Sequence, residues 1–163
     1  MIIMKNRKNS QRISLYNNLG VIYNKRKDYK NAIKYFKKSE ALANKFGIKH
    51  YIQNARGNLA IINYVKQEYQ EAIDTFLQLL SEFSTDDYFM NRLTWTKNIG
   101  ICYFQKKEYQ KALKYYDLFI HHATRKNLTA DILQGYIFKA RTFLQIKDKI
   151  NILSTGRGAL SAA

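Results

Sequence analysis

Three asparagines, Asn18, Asn58 and Asn98, stand forty residues apart in the stretches NNLG, GNLA and KNIG. A carboxamide carries both a donor and an acceptor, so one such side chain can engage the C=O and the N–H of an extended peptide without reading its side chains. An evenly spaced row of them is suited to backbone recognition. Three residues further along stand Val21, Ile61 and Ile101, an apolar strip flanked by Asn17, Asn54, Tyr64, Lys97 and Phe104. The strip suits the apolar side chains of a segment whose backbone the asparagines hold.

Other reactive residue types do not assemble into catalytic patterns. His121 and His122 are adjacent, so on a helix they point to different sides and cannot form the i, i+4 pair of a helical metal site. The single cysteine, Cys102, sits beside Gly100 and Tyr103, on the side of a helix expected to pack, where a thiol behaves as a small apolar group. Asp86 and Asp87 follow Ser84 and Thr85 and read as an N-terminal helix cap, not as a general acid and base. No phosphate-binding glycine loop is present. The sequence points to no enzyme, no cofactor and no metal.

The elements that must hold the asparagine row follow from an internal repeat. Leu19, Leu59 and Ile99; Gly20, Ala60 and Gly100; Tyr29, Tyr69 and Tyr109; Ala32, Ala72 and Ala112; and Phe36, Phe76 and Tyr116 align at the same forty-residue step without a gap. Within one unit, Leu15, Leu19, Ile22 and Tyr23, then Ala32, Ile33 and Phe36, step by three and four, the period of helices with one buried face. Each unit is a helix pair, broken at NKRKDY, VKQEY and QKKEY, where Asp28, Glu68 and Glu108 favour the start of the second helix. The small residues at 20, 60 and 100 are expected to face bulky ones on the partner helix.

The pattern Leu-Gly-x-x-Tyr followed by Tyr-x-x-Ala-x-x-x-Phe resembles the tetratricopeptide repeat over roughly residues 14–126. The early aromatic of the first helix is Tyr16 in the first unit but Arg56 and Thr96 later, and the tyrosine slot holds Asn63 in the second. The forty-residue period is similar to the long-helix subclass of kinesin light chains, spindle-orientation adaptors and peptide-sensing bacterial regulators. The resemblance implies an all-α, right-handed superhelical solenoid of stacked antiparallel helix pairs whose first helices line a concave groove. There Asn18, Asn58 and Asn98 would form a ladder beside the apolar strip, binding a protein or an extended, acidic peptide on a rigid scaffold. A bond from each Asn to the neighbouring helix is the competing role. A peptide-sensing domain of a bacterial transcription regulator or phosphatase is the alternative function.

Units are expected near 12–47, 50–84 and 87–127, after a basic N-terminal segment at 1–11. A degenerate fourth unit or capping helix follows at 128–153, with Thr129 as N-cap, and 154–163 reads as a frayed or non-native tail. Such an incomplete end suggests self-association. The net charge of +16 is uneven: residues 1–50 carry +11 and residues 51–90 carry −4. The lysines fall mainly on second helices, as a solvated face or an attraction to acidic partners; a basic repeat protein associated with nucleic acid is the least favoured reading, since no recognition motif accompanies the charge. No run is long and apolar enough for a membrane span, and the opening MIIMKNRK lacks the order of a signal peptide, so the expected location is cytoplasmic.

Overall fold

The computed structural model describes the backbone of residues 2–160 and the side chains of residues 8–147. Seven α-helices occur in the described residues: α1 Ile2–Lys25, α2 Tyr29–Phe46, α3 Lys49–Val65, α4 Tyr69–Glu82, α5 Phe89–Gln105, α6 Tyr109–Arg125 and α7 Thr129–Leu160. The chain divides into two compact units, Met1–Tyr88 and Phe89–Ala163. The architecture is all-α, as the period-three-and-four pattern requires.

The helices pair because each break has the same local chemistry. At all three breaks the chain leaves the first helix through a residue in the left-handed region: Lys27, Gln67 and Lys107, with φ between 60° and 66°. The next amide reaches back to close the helix end, Asp28 to the Tyr23 carbonyl, Glu68 to Asn63 and Glu108 to Tyr103, the six-to-one bond of a Schellman cap. The second helix then starts at once. Asp28 caps it through Asn31, whose side chain and backbone amide both donate to the carboxylate and hold its pKa below the usual range, chiefly through the side-chain bond. Glu68 and Glu108 occupy the same position without a side-chain cap bond; Glu108 instead lies between Lys106 and Lys111.

In the first unit, Ser39 Oγ donates to the Ile13 carbonyl at 3.2 Å, Gly20 lies under Phe36 and Tyr23 stacks on Tyr35 at 5.4 Å. These contacts run in opposite directions along α1 and α2, so the pair is antiparallel. A Cβ on Gly20 would stand 2.5 Å from the Phe36 ring; the absent side chain is what lets the ring settle on the α1 backbone. In the second unit Gly100 meets Tyr116 at 2.6 Å in the same way. Ala32, Phe36 and Ile62 form one buried cluster with Val21, Tyr23, Tyr29, Ile33 and Leu59 around it, joining the first pair to α3. Leu93, Phe119 and Ala123 form the cluster of the second unit, with Phe89, Leu128 and Ile132 against it.

Several sequence expectations are corrected. Residues 2–11 belong to α1 instead of forming a separate segment. Leu15 and Ile22, read as part of the buried face, are 56% and 46% exposed, whereas Ile13 is fully buried. Their counterparts one repeat on, Ala55 and Ile62, are buried, because α3 has α2 to pack upon and α1 has no preceding pair in the chain. Asp86 and Asp87 lie in a short 3-10 turn, Asp86–Tyr88, leading into α5. Thr129 is the first residue of α7, and the Leu128 carbonyl before it accepts the first helical bond, from Ile132. The helix α7 is continuous to Leu160, so residues 154–160 extend it and no second helix of a fourth pair occurs among the described residues; where Tyr29, Tyr69 and Tyr109 open second helices the register supplies Lys149. Residues 161–163 of the expected tail lie outside the described residues.

Two stability outcomes follow. Gly20→Ala forces the Phe36 ring off the α1 backbone and is expected to lower stability by about 1–3 kcal/mol, read as a lower urea midpoint. Gln53 occupies the slot of Ile13 and Leu93 and is 5% exposed, with its Oε1 buried and unpartnered. Gln53→Leu is expected to raise stability by about 1–2 kcal/mol by removing that unsatisfied acceptor; an unchanged or lower midpoint would refute the assignment.

Candidate peptide-binding face

The asparagine row lies on first helices, as the repeat requires: Asn18 on α1, Asn58 on α3 and Asn98 on α5. Within the first unit α1 and α3 are in direct contact, and their register brings Asn58 beside Asn17. Asn58 Nδ2 donates to Asn17 Oδ1 in a long hydrogen bond of 3.4 Å. Asn58 therefore tethers one first helix to the other. Asn18 is exposed, one position around α1 from that tether, and among the described residues no hydrogen bond engages it.

A cleft of about 440 Å³ opens at this face, lined by Ser10, Gln11, Ser14, Leu15 and Asn18 of α1 and by Tyr51 of α3. Four of these α1 residues, Gln11, Ser14, Leu15 and Asn18, follow helical steps of three and four, so one stripe of α1 forms the wall. Its chemistry is mixed: hydroxyls and carboxamides alternate with the exposed Leu15, and Tyr51 supplies an aromatic from across the cleft. Such a wall can bond a peptide backbone and cover one or two apolar side chains. Ser10, Gln11, Ser14 and Tyr51 were not singled out by sequence; the only signal was the lack of apolar residues at their slots in α1, which does not itself indicate a cleft. Leu15 was assigned to the core by its period.

The apolar strip is half-buried. Val21 packs against the Ala32–Phe36–Ile62 cluster, and Ile61 and Ile101 are intermediate in exposure. The flanking Asn54 on α3 is likewise half-buried. Tyr64 tilts against Tyr69 at 5.7 Å and Phe104 against Tyr109 at 5.7 Å, each joining the end of a first helix to the start of the next. In the second unit Lys97 Nζ donates to Gln134 Oε1 of α7 at 3.1 Å and lies 5.7 Å from the Phe119 ring centre, so it braces α5 on α6 and α7. The departures from the repeat pattern have local compensations. Arg56, where the first unit has Tyr16, bonds Glu82 and Gln78 on α4, and Thr96 is buried with its hydroxyl on the Arg92 carbonyl at 2.9 Å.

Among the described residues no group of three or more His, Cys, Asp or Glu side chains could hold a metal ion, and no helix is long and apolar enough to cross a membrane. His121 is exposed and His122 partly so; burial first, then the neighbouring His121, Arg92 and Arg125, pushes the His122 pKa down. Cys102 is fully buried, and desolvation raises its pKa to about 12. The thiol is therefore protonated in the folded protein where an exposed cysteine is already a thiolate. At pH 8 alkylation by iodoacetamide is expected only on unfolding, and rapid labelling of the folded chain would overturn the burial. Because the unfolded thiol ionises near 8.5–9, this group favours unfolding progressively as pH rises from about 9 to 12.

The helix pairs, the small residues beneath aromatics and the repeated cap have a counterpart among known families. The family model of the tetratricopeptide repeat matches residues 11–81, which span the pairs α1–α2 and α3–α4. A comparison with curated proteins gave no match. The α5–α6 pair repeats the same slots, with Gly100 under Tyr116 as Gly20 lies under Phe36. The chain is thus a tetratricopeptide repeat protein, a helical scaffold of the kind that engages other proteins.

Proposed function

We propose that the chain binds an extended segment of a partner polypeptide along the face formed by its first helices, without catalysing a reaction. The observation that carries this reading is the α1–α3 cleft, in which the exposed carboxamide of Asn18 stands beside Leu15 and opposite Tyr51. Asn18 is the backbone-binding rung of that cleft; Asn98 offers the same group in the second unit, and Asn58 combines a rung with the tether to Asn17. Val21, Ile61 and Ile101 provide partly exposed apolar surface near the rungs. The tether matters to affinity because a face whose helices are already held in place leaves the ordering cost to the ligand.

An acidic segment suits the charge, since residues 1–50, which supply most of the cleft, carry +11. A cytoplasmic partner fits the single buried cysteine. Binding titrations with an array of extended acidic peptides, set beside denaturation curves, test the assignment. Asn18→Ala is expected to weaken binding by about 1–3 kcal/mol with little change in the unfolding midpoint. Asn58→Ala is expected to lower stability by about 1 kcal/mol and to weaken binding as well. Unaltered affinity in Asn18→Ala would remove the carboxamide role, and reduced stability with unaltered affinity in Asn58→Ala would make that residue a strut alone.

A further inference from the structure

The helix α7 has two apolar faces. One is used: Gly135 lies under Ile120 and Phe119, a Cβ there standing 2.3 Å from Ile120, and Phe138 stacks on Tyr116 at 5.2 Å, so this face packs on α6. The other is open. Leu133, Tyr136, Ile137, Phe143 and Leu144 are each more than half exposed, and with Ala140 and Lys147 they fall within an arc of about 120°, at 100° per residue, centred on Ala140.

The repeat explains what this open face is. Ala140 is in register with Gly20, Ala60 and Gly100, the small residues onto which second helices lower an aromatic ring; Phe36 does so on Gly20 and Tyr116 on Gly100. Phe143 is in register with Tyr103 and Tyr23, which stack on Tyr115 and Tyr35 of their second helices. The open face of α7 is therefore the one that a second helix covers in the earlier pairs. No second helix follows it among the described residues, because α7 is continuous to Leu160. The register after residue 148 supplies Lys149, Ile152 and Gly156 where the earlier units have tyrosine, alanine and a large aromatic.

We propose that a second copy of the chain covers this face, the two α7 helices lying antiparallel about a twofold axis through Ala140. The order of side chains argues for this occupant over an unrelated helix. Counted outward from Ala140, the stripe is its own mirror image in apolar positions: Ile137 and Phe143 stand three residues away, Tyr136 and Leu144 four, and Leu133 and Lys147 seven. An antiparallel twofold places each position opposite its mirror, so Ile137 meets the partner's Phe143 and Tyr136 meets the partner's Leu144. The aliphatic stem of the partner's Lys147 lies over Leu133. Such self-complementarity is what an isologous interface requires. Ala140 on the axis lets the two backbones approach closely. Of the nearest charges, Lys139 is held by Asp117 of α6, and Arg141 lies outside the apolar arc.

Sedimentation equilibrium on the full chain tests the proposal, with a dimer expected. Phe143→Glu, at an exposed position that leaves the α6 face intact, is expected to weaken the dimer more than about tenfold while the helical signal and melting stay unchanged. Because two copies of charge +16 repel, the dimer is expected to tighten as salt is raised; weakening with salt would overturn an apolar seam. The axis has its own readout. Ala140→Cys is expected to give a covalent dimer on mild oxidation, whereas Leu133→Cys is not, since an antiparallel pair holds those positions about 21 Å apart at 1.5 Å per residue. The native Cys102 is buried and does not interfere. A monomeric chain, or a dimer in which Ala140→Cys fails to cross-link, overturns the proposal.

Discussion

The close approach of two helices through a missing side chain is the constraint on which the rest depends. Phe36 rests on the backbone at Gly20 and Tyr116 on the backbone at Gly100. In each pair an aromatic ring replaces the solvent that a helix backbone would otherwise meet, and the buried area of such a ring is among the largest single contributions a side chain makes to a core. The alanines Ala32, Ala72 and Ala112, all fully buried, serve the same approach from the second helix. Pair geometry then fixes where the other faces of the first helix point. With one face turned to its own partner and another to the preceding second helix, the remaining polar stripe carries Asn18, Asn58 and Asn98.

The turns make this geometry repeatable. Each break between first and second helix places a non-glycine residue, Lys27, Gln67 or Lys107, in the left-handed region. That conformation is unfavourable for a residue with a Cβ. The compensating terms are the two backbone bonds of the Schellman closure, the favourable start of the next helix and the packing of the tyrosine that follows. Gly47, between the first and second pairs, reaches the same region without the steric penalty. Regular turns of this kind place Asn58 near Asn17, and the carboxamide pair in turn ties α1 to α3 at the face where the cleft opens.

Ends of a repeat array expose what its interior buries. Leu15 and Ile22 on α1 are the counterparts of the buried Ala55 and Ile62, and Tyr136, Ala140 and Phe143 on α7 correspond to residues that a second helix covers in earlier pairs. Both exposures arise from nearest-neighbour packing, in which each helix depends only on the elements beside it. The polar lining of the α1 cleft and the apolar stripe of α7 are consequently different surfaces in kind. One mixes hydrogen-bonding groups with a single leucine; the other is a continuous apolar arc.

The sequence by itself determined the helical class, the pair boundaries to within a few residues, the small-under-large contacts and the inert character of Cys102. These follow from spacing alone, because a helix repeats every 3.6 residues and a buried slot demands the same size of side chain in every copy. Burial at the ends was decided by tertiary structure. Leu15 has the period of a core residue, yet it lies in a cleft, since periodicity records which face is apolar and says nothing of whether a neighbour is present to cover it. The role of Asn58 was likewise open in the sequence: a carboxamide bonds a ligand or a neighbouring helix with equal chemistry, and only the contact of α1 with α3 set its Nδ2 on Asn17. Continuity of α7 past residue 148 was settled the same way, by the absence of a packing partner that would make a second turn and helix worth their loss of chain entropy.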